Sequence, residues 1–275
     1  MIHRSTARRT QSRRTTINPR ILLLFIVLIA IVSGVGYVST GEDVPGSSAS
    51  NGPPAQPAPS PPALSSEAAL ALVAALPDAV YSDDGSYSGN RDELFGDAWS
   101  FDFDQNGCDA RNDILARDLA ATDIDPASCR VFTGTLIDPY TGETIDFVRG
   151  QDTSAEVQID HLLPLKAVYA TGGAAWPAEK RMAIANDPLN LMAVKGSENS
   201  SKSDSLPSEW LPGFYPDVSD RHDLGQRVAW DDLPEDTSLQ CWYVDKLVPV
   251  FVAYDLGLTP EDRAAMTAVL ESCPA

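Results

Sequence analysis

Between Val157 and Lys202 the chain carries a histidine and a set of acid and amide side chains whose order suits metal-assisted cleavage of a phosphodiester. The stretch reads VQIDHLLPL and, after a gap, NDPLNLMAVKGSENSSKSD. Such hydrolysis needs a deprotonated water in line with the leaving oxygen, and a cation that takes up charge on the phosphoryl oxygens. His161 suits the first task, because an unperturbed imidazole pKa of about 6.5 lets it accept a proton near neutrality. Asp160 and the amide oxygen of Asn199 are hard oxygen donors, and one carboxylate, one amide and several waters suit Mg²⁺ or Mn²⁺. Zinc is not expected: beyond the first twenty residues the only histidines are His161 and His222, and no cysteines stand at ligand spacing. Lys202 can act as a point charge on a non-bridging phosphate oxygen.

The elements that must hold these groups are legible from pattern. One apolar run ends in Asp160-His161, a second from Leu189 to Val194 contains Asn190, and the polar segment with Asn199 and Lys202 has the length of one or two helical turns. This predicts a strand, a strand and a helix start with the polar groups at the joints. Neighbours on a regular strand point to opposite faces, so Asp160 and His161 share a site only if the strand ends at them. Pro164 supports an end there, since it removes a ladder donor and restricts Leu163. A strand running on through Leu165 would rule the shared site out. Taken singly these residues are ordinary: a hydrogen-bonded Asp-His pair, a turn asparagine, a helix cap. Their combination points to chemistry, and His222, in SDRHDLG, reads as a surface histidine.

This arrangement resembles the HNH, or ββα-metal, nuclease superfamily. The resemblance implies Asp160 as the acidic metal ligand, His161 as the general base, Asn190 as the central asparagine bracing the loop and Asn199 as the last ligand. Lys202 falls where several members place a lysine near the scissile phosphate. Asparagine replaces histidine in the last position of the signature. The strings DPYTG, IDHLLPL, ANDPLNL and KSDSLPSEWLP resemble secreted HNH-like proteins of Gram-positive bacteria and the C-terminal nuclease domain of some modification-dependent restriction enzymes. The resemblance covers roughly Phe95 to Cys273.

The ends of the chain speak about place. The first twenty residues hold six arginines and no acid, and Ile21–Val38 holds no charge. This predicts a cytoplasmic basic tail (1–20) and a single transmembrane helix or signal anchor (21–38) with the bulk outside the cell. A retained anchor is the reading, with secretion after signal cleavage as the alternative. Residues 39–64 are rich in Pro, Ser and Gly and predict a disordered linker. Residues 65–275 form the extracytoplasmic domain, enough for one well-buried core, and a monomer is expected.

All four cysteines, Cys108, Cys129, Cys241 and Cys273, lie on the exported side, where an even count favours disulfides. Of three possible pairings, Cys108 with Cys129 and Cys241 with Cys273 each clip a local segment. SSEAALALVAAL, from Ser65, predicts a helix, and GCDARNDILARDLAA another opening near Arg111. CRVFTGTLIDPYTGETIDFVRG predicts a hairpin turning at Asp138–Gly142, which would extend the sheet beside the Val157 strand and bring Arg111 and Arg149 towards the phosphate path as substrate-binding residues. WPAEKRMAIAND, DLGQRVAW and LTPEDRAAMTAVLESC predict further helices. The fold class is therefore α+β: a ββα-metal core with an N-terminal hairpin and helix and a helical C-terminal part.

Charge pulls the other way. Residues 21–275 hold 14 basic side chains against 39 acidic ones, a formal charge of −25. A nucleic-acid binder ordinarily shows a basic footprint. The surface would repel a polyanion unless Lys166, Lys180, Arg181, Lys195 and Lys202 gather at the site. Binding is then weak, salt-dependent and non-specific, with DNA preferred over RNA as substrate. Two readings follow: an endonuclease, anchored or secreted, or an inactive HNH fold that binds a cell-wall or protein partner through its acidic face.

Overall fold

The computed structural model describes residues 64–99, 102–103, 105–151, 153–213 and 233–274. Helix α1 (Ser66–Ala75) opens on Ser65, whose hydroxyl accepts the Ala68 amide at 3.2 Å. The short α2 (Arg91–Phe95) follows, and then α3 (Ala110–Asp118), capped by the Asp109 carboxylate on the Asn112 amide at 2.9 Å. Strands β1 (Ala120–Ile124), β2 (Val131–Ile137) and β3 (Thr144–Val148) form one antiparallel sheet in that order. Strand β4 (Val157–His161) leads through α4 (Leu165–Ala170), a 3₁₀ turn (Gly173–Ala175) and α5 (Ala178–Asn186) to its antiparallel partner β5 (Leu191–Lys195). Helix α6 (Gly196–Lys202) leaves β5 directly, and α7 (Ser238–Tyr254) and α8 (Pro260–Ser272) close the described chain. The architecture is mixed α+β with small antiparallel sheets. Disulfides join Cys108 to Cys129 and Cys241 to Cys273, with Cα atoms 5.6 and 5.7 Å apart.

Two apolar clusters sit on either side of the β4–β5 pair. Val157, Ile159, Leu191 and Ala193 pack with Ile114, Leu115, Val131 and Phe147 from α3 and the three-stranded sheet. Val194, Leu162 and Leu163 pack with Val244, Leu247 and Met266 of α7 and α8. Period-2 alternation makes β4–β5 the shared wall of both cores, apolar on the side of Val157 and Ile159 and carrying Gln158 and Asp160 among apolar residues on the other.

Two expectations are corrected here. The β2–β3 hairpin, turning at Asp138–Gly142 with Gly142 at φ 74°, does not extend the β4–β5 sheet but pairs with β1. Side chains take backbone groups along both outer edges of the pair: on β4, Arg111 donates to the Val157 carbonyl at 3.4 Å and Lys202 to the His161 carbonyl at 2.9 Å, and on β5 three groups are taken. Asp118 accepts from Ala193 N at 2.8 Å, Asp138 from Lys195 N at 2.7 Å, and Arg117 donates to the Leu191 carbonyl at 2.7 Å. Groups satisfied in this way are withdrawn from pairing with a third strand. The helix expected to run through Ala121 stops at Asp118, where Leu119 turns into the core and Ala120–Ile124 becomes β1. Strand pairing outweighs the helix preference of Ala120 and Ala121.

Among the described residues no helix is long and apolar enough to cross a membrane. The span expected at 21–38, the linker at 39–63, His222 and the helix expected at 223–230 lie outside the described residues.

The junction of β5 and α6 is tight enough to test. A Cβ on Gly196 would lie 2.1 Å from the Ala155 carbonyl oxygen, so Gly196→Ala must displace backbone. Overpacking of this kind costs about 1–3 kcal/mol, and the expected result is a thermal midpoint several degrees lower in calorimetry, with α6 shifted off β4.

Candidate active site

Strand β4 ends because Asn190 takes over its ladder. The last paired residues are His161 and Leu191. The next amide, Leu162 N, donates to the Asn190 carbonyl at 2.9 Å, and Leu163 N donates to Asn190 Oδ1 at 2.8 Å. The Asn190 amide returns hydrogen bonds to the carbonyls of Leu163 (3.2 Å) and Ile184 (3.3 Å). A fully buried carboxamide thus saturates the backbone of a bending segment, a role that apolar side chains cannot fill. Pro164 comes after the bend and starts α4.

His161 sits at that bend. Its Nε2 lies 2.8 Å from the carbonyl of Ala185, in the last turn of α5, where helix carbonyls lack an intrahelical partner. A carbonyl only accepts, so Nε2 carries the proton and Nδ1 presents a lone pair. Trp99 stacks on the ring, centroids 5.9 Å apart and planes 11° off parallel, with its backbone at φ 64°. Burial, aided by the nearby charges of Arg91 and Lys202, lowers the imidazole pKa to about 3, against the opposing pull of the Ala185 carbonyl.

Asp160 is buried one residue earlier and held by two donors. Tyr140 gives its hydroxyl proton to Oδ2 at 2.5 Å, and Lys202 Nζ lies 3.0 Å from Oδ1 and 2.9 Å from the His161 carbonyl. Tyr140 comes from the β2–β3 turn and is wedged edge-on against Trp210 and Tyr243. Burial pushes the Asp160 carboxyl up and the Lys202 ammonium down, each resisted by the charge of the other.

Asn199, half-buried on α6, donates Nδ2 to Gln158 Oε1 at 2.8 Å. That bond fixes the flip of the amide and leaves Oδ1 without a partner among the described residues. Asp160, His161 and Asn199 line one cleft of about 360 Å³ together with Tyr87, Arg91 and Lys166. The structure therefore brings together the acid, the imidazole and the carboxamide. No group of three or more His, Cys, Asp or Glu that could hold a metal exists among the described residues. The donor set is instead one carboxylate and one amide oxygen with open space for water, which suits a hard divalent cation in partial hydration.

Other expectations are not met. Lys202 does not reach a substrate phosphate: its side chain is 0% exposed and its ammonium is spent beneath Asp160. Arg111 and Arg149 do not line the cleft. Arg111 reaches the Val157 carbonyl at 3.4 Å and ties α3 to β4, and Arg149 binds the Val131 carbonyl and Asn112 Oδ1 at 2.5 and 2.6 Å and braces the three-stranded sheet against α3. Of the lysines and arginines expected to gather, only Lys166 lines the cleft. Lys180 caps the Tyr254 carbonyl, Arg181 the Leu94 carbonyl, and Lys195 pairs with Glu143. Sequence reasoning passed over Tyr140, Trp99 and Arg91. Only Tyr140 left a signal, as a bulky ring inside an otherwise polar turn.

Removing a partner from a buried ion pair leaves an uncompensated charge, at about 3–5 kcal/mol. Lys202→Met is accordingly expected to lower stability by that order in denaturant unfolding, whereas a lysine serving only a surface phosphate contact would leave the midpoint unchanged.

Comparison with known proteins agrees with this geometry. Over 168 residues the chain is 29% identical to a protein described as an uncharacterized secreted protein of Arthroderma benhamiae, covering 60% of this chain and 68% of that one. No solved structure matches. Residues 109–214, which hold Tyr140, Asp160, His161, Asn190, Asn199 and Lys202, match the family model for the C-terminal domain of GmrSD restriction endonucleases. This part of the chain is similar to those endonuclease domains, consistent with the HNH-like superfamily that its motifs resemble.

Proposed function

We propose that the chain is a metal-dependent endonuclease that hydrolyses phosphodiester bonds of nucleic acid, DNA in preference to RNA and without sequence specificity. One observation carries this reading: the Nδ1 lone pair of a carbonyl-oriented imidazole, a buried carboxylate and an unpaired amide oxygen belong to residues that line the same cleft. Asp160 and Asn199 would hold one Mg²⁺ or Mn²⁺. When bound, such a cation acidifies water and takes up charge on the phosphoryl oxygens. His161 accepts the proton of the attacking water at Nδ1, with Ala185 fixing the ring direction and Trp99 limiting its rotation. Burial holds its pKa below that of a free imidazole, which favours the neutral, proton-accepting form. Tyr140 and Lys202 hold the Asp160 carboxylate in one orientation, and Asn190 holds the bend that turns His161 into the cleft. Export, by anchor or by signal cleavage, is part of the same reading; the two disulfides and the secreted relative support an extracellular site of action.

The test is plasmid nicking by the full chain with Mg²⁺, with Mn²⁺ and with chelator. Wild type is expected to nick only with metal, His161→Ala to lose at least ~100-fold in rate, as removal of a general base does, and Asn199→Ala to require far more metal. Absence of cleavage under every metal would sink the enzyme and leave an acidic binding domain.

A further inference from the structure

The cleft contains an arginine, Arg91, held by an exposed ion pair to Asp92 and a hydrogen bond to the neighbouring Tyr87, and this deepens the nuclease reading on which it rests. An account of charge at the cleft isolates it. Asp160 is neutralised from below by Lys202. Lys166 is bound on both sides, to Asp83 at 3.1 Å and Asp204 at 2.9 Å, and its pKa is raised above that of an ordinary lysine by these carboxylates. His161 is neutral. Arg91 remains. Among the described residues its ion pair is a single 3.3 Å contact to its sequence neighbour Asp92, whose side chain is 69% exposed. An exposed pair of that kind contributes little and is readily exchanged.

The backbone that presents Arg91 is firmly seated. Arg91 opens α2, whose Phe95 is buried against Tyr87 and Tyr169, with ring centroids 6.0 and 6.5 Å away. Arg181 of α5 donates to the Leu94 carbonyl at 2.7 Å, tying α2 to the helix whose last turn orients His161. Arg91 thus shares a wall with the base and both oxygen donors. A guanidinium offers a planar fork matched to two phosphate oxygens, and unlike Lys202 it is free to move towards one.

We infer that Arg91 is the substrate-contacting cation of this site, binding a non-bridging oxygen of the phosphate to be cleaved, the part that the sequence motif assigns to Lys202. Arg91 lies outside residues 109–214, so the phosphate contact comes from the N-terminal extension and not from the matched segment. An acidic protein can then engage a polyanion through one exchangeable arginine and a metal ion, with no basic face.

The experiment compares wild type, Arg91→Ala, Arg91→Gln, Arg91→Lys and Arg130→Ala, the last being an arginine over Phe132 that does not line the cleft. Nicking rates are measured on the full chain with Mg²⁺. Affinity for a short fluorescein-labelled DNA duplex is measured by anisotropy across a salt series in a His161→Ala background. Loss of Arg91 is expected to lower kcat/KM roughly 10- to 100-fold, as loss of a charge-assisted hydrogen bond implies. The log–log salt slope should shrink by about 0.9, the value for one phosphate contact. Arg91→Gln should behave like Arg91→Ala with an unchanged thermal midpoint, Arg91→Lys should keep the slope while losing rate, and Arg130→Ala should match wild type. Cleavage and salt slope unchanged in Arg91→Ala and Arg91→Gln would overturn the inference while leaving the nuclease intact. A wild type that binds but never cuts overturns the nuclease, and the slope still judges Arg91. A wild type that neither binds nor cuts overturns both.

Discussion

The Asp160 carboxylate receives one hydrogen bond from Tyr140 and one from Lys202, and those two residues arrive from different parts of the chain: a hairpin turn and the end of α6. Taking a carboxylate out of water is tolerable only when its lone pairs are met, so this triad must assemble for the fold to close. Its assembly in turn docks the β2–β3 turn and α6 on opposite oxygens of one side chain. The wedge of Tyr140 among Trp210 and Tyr243 adds apolar burial to the same junction, so packing and charge compensation act at one point.

The second constraint is the end of β4. Asp160 and His161 are the last two paired residues of the strand, and just beyond them the Asn190 carboxamide takes the Leu163 amide in place of a ladder partner. The bend brings the imidazole under the open end of α5, where an unpaired carbonyl is available to orient it. Asn190 and Ala185 therefore do for geometry what Tyr140 and Lys202 do for charge. The cleft residues themselves are few, while the residues that hold them are buried and numerous.

The surplus of acid in the chain is reconciled with this site by local bookkeeping. The ammonium groups that sequence would enlist against phosphate are used inside the protein, on Asp160, Glu143, Asp204 or backbone carbonyls. Arg91 lines the cleft with an exposed acidic neighbour as its ion-pair partner. Field focusing in a small cleft is less demanding than a basic face, since the interaction falls off within a Debye length of about 8–10 Å at ordinary salt.

Local chemistry was readable without coordinates. The helix starts at Ser65 and Thr259 follow from capping residues, the hairpin at Asp138–Gly142 from turn chemistry, and the strand, strand, helix order around Asp160, His161, Asn190 and Asn199 from hydrophobic pattern and polar joints. Those are properties of a few neighbouring residues. Lys202 looked like a surface charge because burial is not a local property, and Arg111 and Arg149 looked like phosphate ligands because their carbonyl partners lie dozens of residues away or across a sheet. The hairpin was set in the wrong sheet because backbone groups on the edges of β4 and β5 are taken by Arg111, Lys202, Arg117, Asp118 and Asp138, whose reach no pattern encodes. What the residues alone determined was the inventory of donors and the order of the elements that carry them. Which donor faces solvent, which is consumed in the interior and which strand edges stay open was decided by the closing of the two cores around β4–β5, because desolvation and hydrogen-bond saturation act only once distant segments meet.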